Sequence, residues 1–121
     1  MSLTAVDHVQ LAIPAGGEET ARPFYVDVLG LTELPKPPEL AARGGAWFTS
    51  GTVQVHLGVD PEFRPATKAH AAFRVSDLHE IEQRARQCGY RIGEDDPLPG
   101  FARIFVYDPF GNRIELMQKL D

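Results

Sequence analysis

The chain has 121 residues, of which 43% are hydrophobic and 24% charged, so its size and composition are those of one globular domain and exclude disorder as its main state. The formal charge is -5 and the 12 lysines and arginines are dispersed, which disfavours nucleic acid or a membrane as a partner and leaves a small molecule as the expected ligand. No long apolar run or signal-peptide pattern is present, and we therefore expect a cytoplasmic protein.

The first half of the chain opens with an alternating pattern over residues 7–13, which predicts a strand with Val9, Leu11 and Ile13 on one face. The glycines and acidic residues that follow predict the start of a helix, and Gly30 predicts its left-handed end. Three further strands are predicted at residues 31–34, 46–49 and 53–57.

The second half of the chain repeats this order of elements. Residues 69–75 again alternate, Asp77 is placed to cap a helix, and Gly89 is placed to end it. The apolar face of this helix is predicted to consist of Leu78, Ile81, Ala85 and Cys88. Further strands are predicted at residues 90–92, 102–107 and 113–117, with a hairpin turn at 108–112.

The two series of elements predict the fold class. Each series reads as one strand, one helix and three strands, so we expect an α+β fold of two pseudo-symmetric βαβββ modules. The modules span about residues 4–59 and 68–119 of a single domain, residues 1–121, with a linker near residues 60–65.

Four polar residues occupy matching places in the two modules. His8 and His70 lie in the first strand of each module, and His56 aligns with Glu115 on a later strand. A buried imidazole or carboxylate is costly unless it is paired or bound to a metal. We therefore expect the four side chains to converge on one point, either as a metal centre or as a hydrogen-bonded cluster without metal.

The chemistry of this set fits a divalent metal. Three imidazoles and one carboxylate suit Zn, Ni, Co, Mn or Fe(II), and the single cysteine, Cys88, excludes a site built from paired thiolates. An octahedral ion with four protein ligands would leave room for a substrate that chelates through adjacent oxygens. The ion would act on such a substrate as a Lewis acid that polarises a carbonyl.

Neighbouring polar residues are candidates for contact with a substrate. Gln10 and Gln54 each lie two residues from a histidine of the set, so they are expected on the same face as substrate-binding groups. Arg103 and Arg113 either bind a carboxylate or phosphonate of the substrate or face outward into solvent. Trp47 is expected to be a core residue rather than a wall of the site.

Several segments resemble the vicinal oxygen chelate superfamily, which includes glyoxalase I, methylmalonyl-CoA epimerase, fosfomycin-resistance thiol transferases, extradiol dioxygenases and bleomycin-binding proteins. The resemblance rests on Asp7-His8-Val9, Phe24-Tyr25, Val28-Leu29-Gly30-Leu31, His70 and the run DPFGNRIEL at residues 108–116. It covers almost the whole chain and implies a glyoxalase-like fold, in which the modules form a cup-shaped sheet. It does not select one activity, because the superfamily places several reactions on one scaffold.

The resemblance also implies a homodimer with metal sites shared between two chains. His8 and His56 of one chain would then meet His70 and Glu115 of the other. A single chain would hold two halves of different sites.

The resemblance departs from glyoxalase I at His56. The residue at the similar position there is a carboxylate that moves a substrate proton, a role that a metal-bound imidazole does not fill in the same way. Isomerisation, thiol transfer and dioxygenation therefore stay open as reactions of a metal-dependent enzyme. The alternative is a non-catalytic drug-binding protein of the bleomycin-resistance type, for which the negative net charge and the acidic residues 94–96 favour a cationic guest.

Overall fold

A computed structural model describes residues 2–121 and places their strands in two four-stranded sheets. The strands are β1 (Val9–Ile13), β2 (Thr32–Leu34), β3 (Ala46–Ser50), β4 (Val53–Val59), β5 (Ala71–Arg74), β6 (Ile92–Gly93), β7 (Phe101–Tyr107) and β8 (Arg113–Lys119). The first sheet has the order β1-β4-β3-β2 and the second the order β5-β8-β7-β6. In both, the first strand of the module runs parallel to its last strand, and the other pairs are antiparallel. This repeated order confirms the predicted α+β fold of two pseudo-symmetric βαβββ units.

The first helix differs from the regular α-helix that its spacing predicts. α1 (Glu18–Arg22) continues as a π-helical segment, Pro23–Val28, in which the Leu29 amide donates to the Phe24 carbonyl. Pro23 has no amide hydrogen to donate, which weakens the α-helical pattern at this point. The wider turn accompanies complete burial of Phe24, Tyr25 and Val28. Gly30 then ends the segment at φ +76°, as predicted.

The second module places its helix on the same kind of apolar face. In α3 (Leu78–Gln87) the Asp77 carboxylate accepts from the Glu80 amide, which confirms the predicted cap. The predicted stripe is buried up to Ala85, but Cys88 is exposed, because it lies at the end of the helix beyond the last turn that packs. A short helix that the sequence analysis did not predict, α2 (Pro38–Ala41), lies between β2 and β3.

The buried apolar residues of both modules form one cluster, and polar contacts tie the modules together. The Arg84 guanidinium of α3 donates to the Val28 carbonyl over 2.8 Å. Asn112, in the turn before β8, donates to the Ala12 carbonyl of β1 over 2.9 Å. The β1 edge of one sheet and the β5 edge of the other are each paired on one side only within residues 2–121.

No helix in the described part of the chain is long and apolar enough to cross a membrane.

Candidate functional site

The first sheet carries a row of three side chains across its strands. Gln10 on β1 and Trp47 on β3 are both register partners of His56 on β4. The Trp47 ring and the His8 ring both stack on the His56 ring, with their centroids 4.4 Å and 4.0 Å from its centroid. His56 is therefore held between two aromatic rings, and its ring plane is fixed.

His56 is kept neutral by its surroundings. His56 is 8% exposed, and this burial lowers the pKa of its imidazole. The nearby His8 lowers that pKa further. Its Nε2 lies 3.3 Å from the Gln54 side-chain oxygen. A neutral imidazole is the form that binds metals, so His56 is in the state that a ligand requires.

His8 lies one residue before β1 and is more open to solvent than His56. Its Nδ1 is 3.0 Å from an Asp7 carboxylate oxygen, and 38% of its side chain is exposed. Since a carboxylate held at Nδ1 fixes the proton there, Nε2 is the nitrogen available to a metal.

A groove of about 560 Å³ opens above this row, within the usual range for a small-molecule site. An apolar cavity near Leu116 has only about 90 Å³, which makes the groove the better candidate for a substrate. The groove is lined by Asp7, His8, Gln10, Lys36, Leu40, Arg43, Gly44, Trp47, Gln54, His56, Leu57, Gly58 and Val59. Gln10 and Gln54 thus lie on the face where the alternation placed them.

The second sheet holds His70 and Glu115 in direct contact. His70 Nε2 is 2.9 Å from Glu115 Oε1, and Arg103 Nη1 donates to Glu115 Oε2 over 3.1 Å. Burial would raise the pKa of Glu115, but the hydrogen bonds and charges of His70 and Arg103 outweigh it, and the pKa lies below its ordinary value. Glu115 is therefore an ionised carboxylate with both oxygens engaged.

Arg103 and Arg113 share this face and are not solvated outward. Their side chains are 18% and 24% exposed, and the Arg113 guanidinium carbon lies 3.7 Å from the centroid of the Phe105 ring. Arg103 Nη2 also donates to the Asp96 carbonyl over 2.7 Å. The outward alternative is thus wrong, because Arg113 packs against the Phe105 ring and Arg103 bonds to Glu115, which holds the two side chains over the sheet.

The two sheets place equivalent residues in equivalent rows. Ala72 and Phe105 are the register partners of Glu115, as Gln10 and Trp47 are of His56. In each module the histidine before the first strand lies beside this row. The resemblance between His8 and His70, and between His56 and Glu115, is therefore structural as well as sequential.

The two pairs do not join in one chain. Within residues 2–121 no group of three or more His, Cys, Asp or Glu side chains lies close enough to hold a metal together. One pair lies on each sheet, so that the two pairs stay separate within one chain. We call them the first and second half-sites, because the predicted four-ligand centre would need both. The expected four-ligand centre stays a prediction that needs a second chain.

Three expectations about this region need correction. Trp47 is not a core residue but lines the groove, because its partner across the strands is His56 on the polar face. His8 and His70 lie just before their strands rather than within them, and only His56 and Glu115 are buried. A signal that could have identified Trp47 as a groove residue was present in the alternation of β3, where Trp47 is opposite in phase to the buried Ala46 and Phe48.

Comparison with protein families identifies the family of this chain. The model for the Glyoxalase/Bleomycin resistance protein/Dioxygenase superfamily matches residues 5–116. A search of curated proteins finds no significant match.

Solved structures are similar over the whole chain. A glyoxalase-family protein of Bacillus anthracis is 44% identical with a TM-score of 0.93, over 99% of this chain and 98% of that one. TnmS3, an antibiotic-binding protein from Streptomyces sp. CB03234, is 22% identical with a TM-score of 0.74, over 99% of both chains. The fosfomycin resistance protein FosX of Listeria monocytogenes is 15% identical with a TM-score of 0.79, over 98% of this chain and 94% of that one. The last two likenesses concern the fold alone.

Proposed function

Because this chain belongs to the Glyoxalase/Bleomycin resistance protein/Dioxygenase superfamily, we propose that it is a metal-dependent enzyme for a small substrate that chelates the metal through adjacent oxygens. The proposed ligands are His8, His56, His70 and Glu115. The metal is a divalent ion, Zn, Ni, Co, Mn or Fe(II), and the reaction is isomerisation, thiol transfer or dioxygenation.

The observation that carries the proposal is the position of His70 between two oxygen atoms. Its Nδ1 lies 3.0 Å from the Lys68 carbonyl, and its Nε2 lies 2.9 Å from Glu115 Oε1. A carbonyl only accepts, so Nδ1 donates, and Nε2 faces a carboxylate that also only accepts. Either a second proton or a cation must therefore lie at Nε2.

A divalent cation fits this arrangement of donor atoms. In metal-binding histidines the ring nitrogen that does not bind the metal donates to a carbonyl or carboxylate, as His70 Nδ1 does to the Lys68 carbonyl, which leaves Nε2 for an ion beside Glu115. Adjacent ligands at about 2.0–2.2 Å from one ion are themselves about 3 Å apart, close to the His70 to Glu115 distance. When bound, such an ion supplies Lewis acidity that polarises a chelated carbonyl.

The residues of the first half-site bind and orient the substrate in this proposal. The Gln10 and Gln54 amides line the groove and offer hydrogen bonds to oxygen atoms of the substrate. The Trp47 ring forms an apolar wall that excludes water from one side of the groove.

A homodimer completes the proposed site. β1 and β5 are the edge strands of their sheets, and His8 and His70 lie directly before them. Pairing β1 of one chain with the partner's β5 would satisfy both edges and bring His8 and His56 towards the partner's half-site.

Metal analysis tests the proposal directly. We expect untagged protein purified without chelators, or reconstituted with Zn, Ni, Mn or Fe(II), to hold about one ion per chain. His70→Ala with Glu115→Ala should abolish binding, and His79→Ala, which removes an exposed histidine of α3, should not. Absence of metal from the reconstituted wild type would overturn the proposal.

A second candidate function is binding of a planar ligand without turnover. The observation that favours it is the stack of Trp47, His56 and His8, since planar rings extend such a stack. The acidic residues 94–96 attract a cationic ligand less than their formal charge indicates, because the Asp95 carboxylate already lies 3.7 Å from the Arg113 guanidinium. A ligand affinity and melting temperature that do not change on chelator treatment would support this function and contradict the metalloenzyme.

A further inference from the structure

The His70 and Glu115 half-site contains two arginines that the proposed metal chemistry does not use. Arg103 and Arg113 lie on the polar face of the second sheet, largely withdrawn from solvent. Their Nε atoms are buried and have no hydrogen-bond partner in the described part of the chain. Two desolvated guanidinium groups beside each other are costly unless anions neutralise them.

The chain supplies these arginines with few close anions. Within residues 2–121, Glu115 is the one carboxylate in direct hydrogen-bond contact with them, at 3.1 Å from Arg103 Nη1. The Asp95 carboxylate lies near both guanidinium groups but beyond hydrogen-bond distance, with Oδ2 3.7 Å from Arg113 Nη2 and 4.0 Å from Arg103 Nη2. Its side chain is 45% exposed. The two positive charges are thus balanced only while the Glu115 carboxylate remains available to them.

Metal binding would remove this balance. An ion held by His70 and Glu115 adds its own positive charge to the half-site. The negative charge of the Glu115 carboxylate is then divided between the ion and Arg103. Asp95 alone then faces the two guanidinium groups, and the half-site becomes strongly positive.

From this we infer that the substrate carries an oxyanion next to its two chelating oxygens, bound by the terminal nitrogens of Arg103 and Arg113. The inference rests on the proposed function, because it assigns the substrate class of the same site. Guanidinium groups bind carboxylate and phosphonate oxygens through paired hydrogen bonds, so both kinds of oxyanion share this chemistry. A neutral diketone or catechol would leave the arginines without an anion.

Three hydroxamates with one chelating head test the inference. Acetohydroxamate ends in a methyl group, malonohydroxamate adds a carboxylate, and phosphonoacetohydroxamate adds a phosphonate. Their dissociation constants are measured by calorimetry on cobalt-loaded protein. We expect the two anionic probes to bind wild type roughly tenfold to 100-fold more tightly than acetohydroxamate, as charge-assisted hydrogen bonds imply. Tighter binding of malonohydroxamate would identify a planar carboxylate as the substrate's oxyanion, and tighter binding of phosphonoacetohydroxamate a tetrahedral phosphonate.

Variants assign the effect to the arginines. Arg113→Met should remove most of the preference for the anionic probes, and Arg113→Lys should retain part of it. Arg91→Met is the matched control, because Arg91 stacks on Tyr107 with its guanidinium carbon 4.0 Å from the ring centroid but lies outside the half-site. It should leave the preference unchanged.

The outcomes separate this inference from the proposed function. Equal affinity for the three probes in cobalt-loaded wild type would overturn the inference, as would a preference that persists in Arg113→Met. Wild-type protein that binds neither cobalt nor Zn, Ni, Mn or Fe(II) would overturn the proposed function itself. Cobalt content and melting temperature, measured for each variant, establish that the variant is folded and loaded.

Discussion

Tyr25 is a fully buried tyrosine whose hydroxyl donates to Asp108 Oδ2 over 2.7 Å. Burial, the Asp108 charge and this hydrogen bond raise the pKa of Tyr25 well above its usual value. Asn112 donates to the same carboxylate oxygen over 2.8 Å and to the Ala12 carbonyl. These residues connect the first module to the turn before β8, and each buried polar group in the network has a partner.

Replacement of Tyr25 tests this network. Tyr25→Phe should lower the free energy of unfolding by about 1.5–3 kcal/mol at pH 7, since the hydrogen bond it removes is to a charged group. Urea unfolding measures the change. Tyr107→Phe is the control, because the Tyr107 hydroxyl makes no hydrogen bond within residues 2–121, and it should change stability by less than about 0.5 kcal/mol.

The same substitution changes the response to alkali. The raised pKa means that Tyr25 stabilises the fold fully below about pH 10, where the unfolded tyrosine begins to ionise. This contribution is lost as the pH rises through the higher folded-state value. The stability difference between wild type and Tyr25→Phe should therefore shrink above pH 10, and a difference that grows there would contradict the assignment.

His56 also allows a test at the scale of one residue. His56→Phe keeps a ring between His8 and Trp47 but removes the nitrogen atoms. Replacing a residue that only supports a metal ligand typically lowers metal affinity by roughly tenfold to 100-fold. Because His56 is proposed to bind the metal itself, we expect a larger loss of affinity, with little change in melting temperature. Unchanged affinity would assign metal binding to the other three residues and leave His56 as part of the aromatic wall.

At the scale of the elements, alternation and repetition predicted most of the strands. β1, β3, β4, β7 and β8 lie where the period of two placed them, because each buries one face. The π-helical segment was not predicted, since its apolar spacing also fits an α-helix. α2 was missed because its proline-rich sequence is typical of a loop.

The start of β3 depends on a glycine that the pattern did not single out. Gly45 has φ +83°, and a Cβ there would lie 2.1 Å from the Leu57 carbonyl oxygen of β4. Gly45→Ala must therefore move the backbone beside Trp47. Gly51→Ala is the control, with φ +58° and no atom within 4 Å of the added Cβ.

We expect Gly51→Ala to cost only the strain of the left-handed conformation, about 1–2 kcal/mol. Gly45→Ala should cost clearly more and also weaken ligand binding in the groove. Thermal unfolding and hydroxamate titration measure both effects. Equal losses of stability in the two variants would contradict the close approach of Gly45 to β4.

At the scale of the whole molecule, the sequence predicted which residues occupy matching places in the two modules better than which contacts those residues make. Matching positions in the two halves identified the histidines and Glu115 because both modules repeat the same order of strands. Contacts between distant segments were not predictable in this way. The bond from Arg103 to Glu115 and the exposure of Cys88 depend on side-chain direction and helix length, which no periodicity specifies.

The central claim is that two chains complete each site, and mixed dimers test it most directly. The measurement is the metal content of purified heterodimers formed from differently tagged chains. A heterodimer of His8→Ala with His70→Ala should hold about half the wild-type metal, because shared sites leave one site intact. A heterodimer of wild type with a chain carrying both substitutions should hold none. The reverse result, metal in the second heterodimer and none in the first, would contradict the shared site.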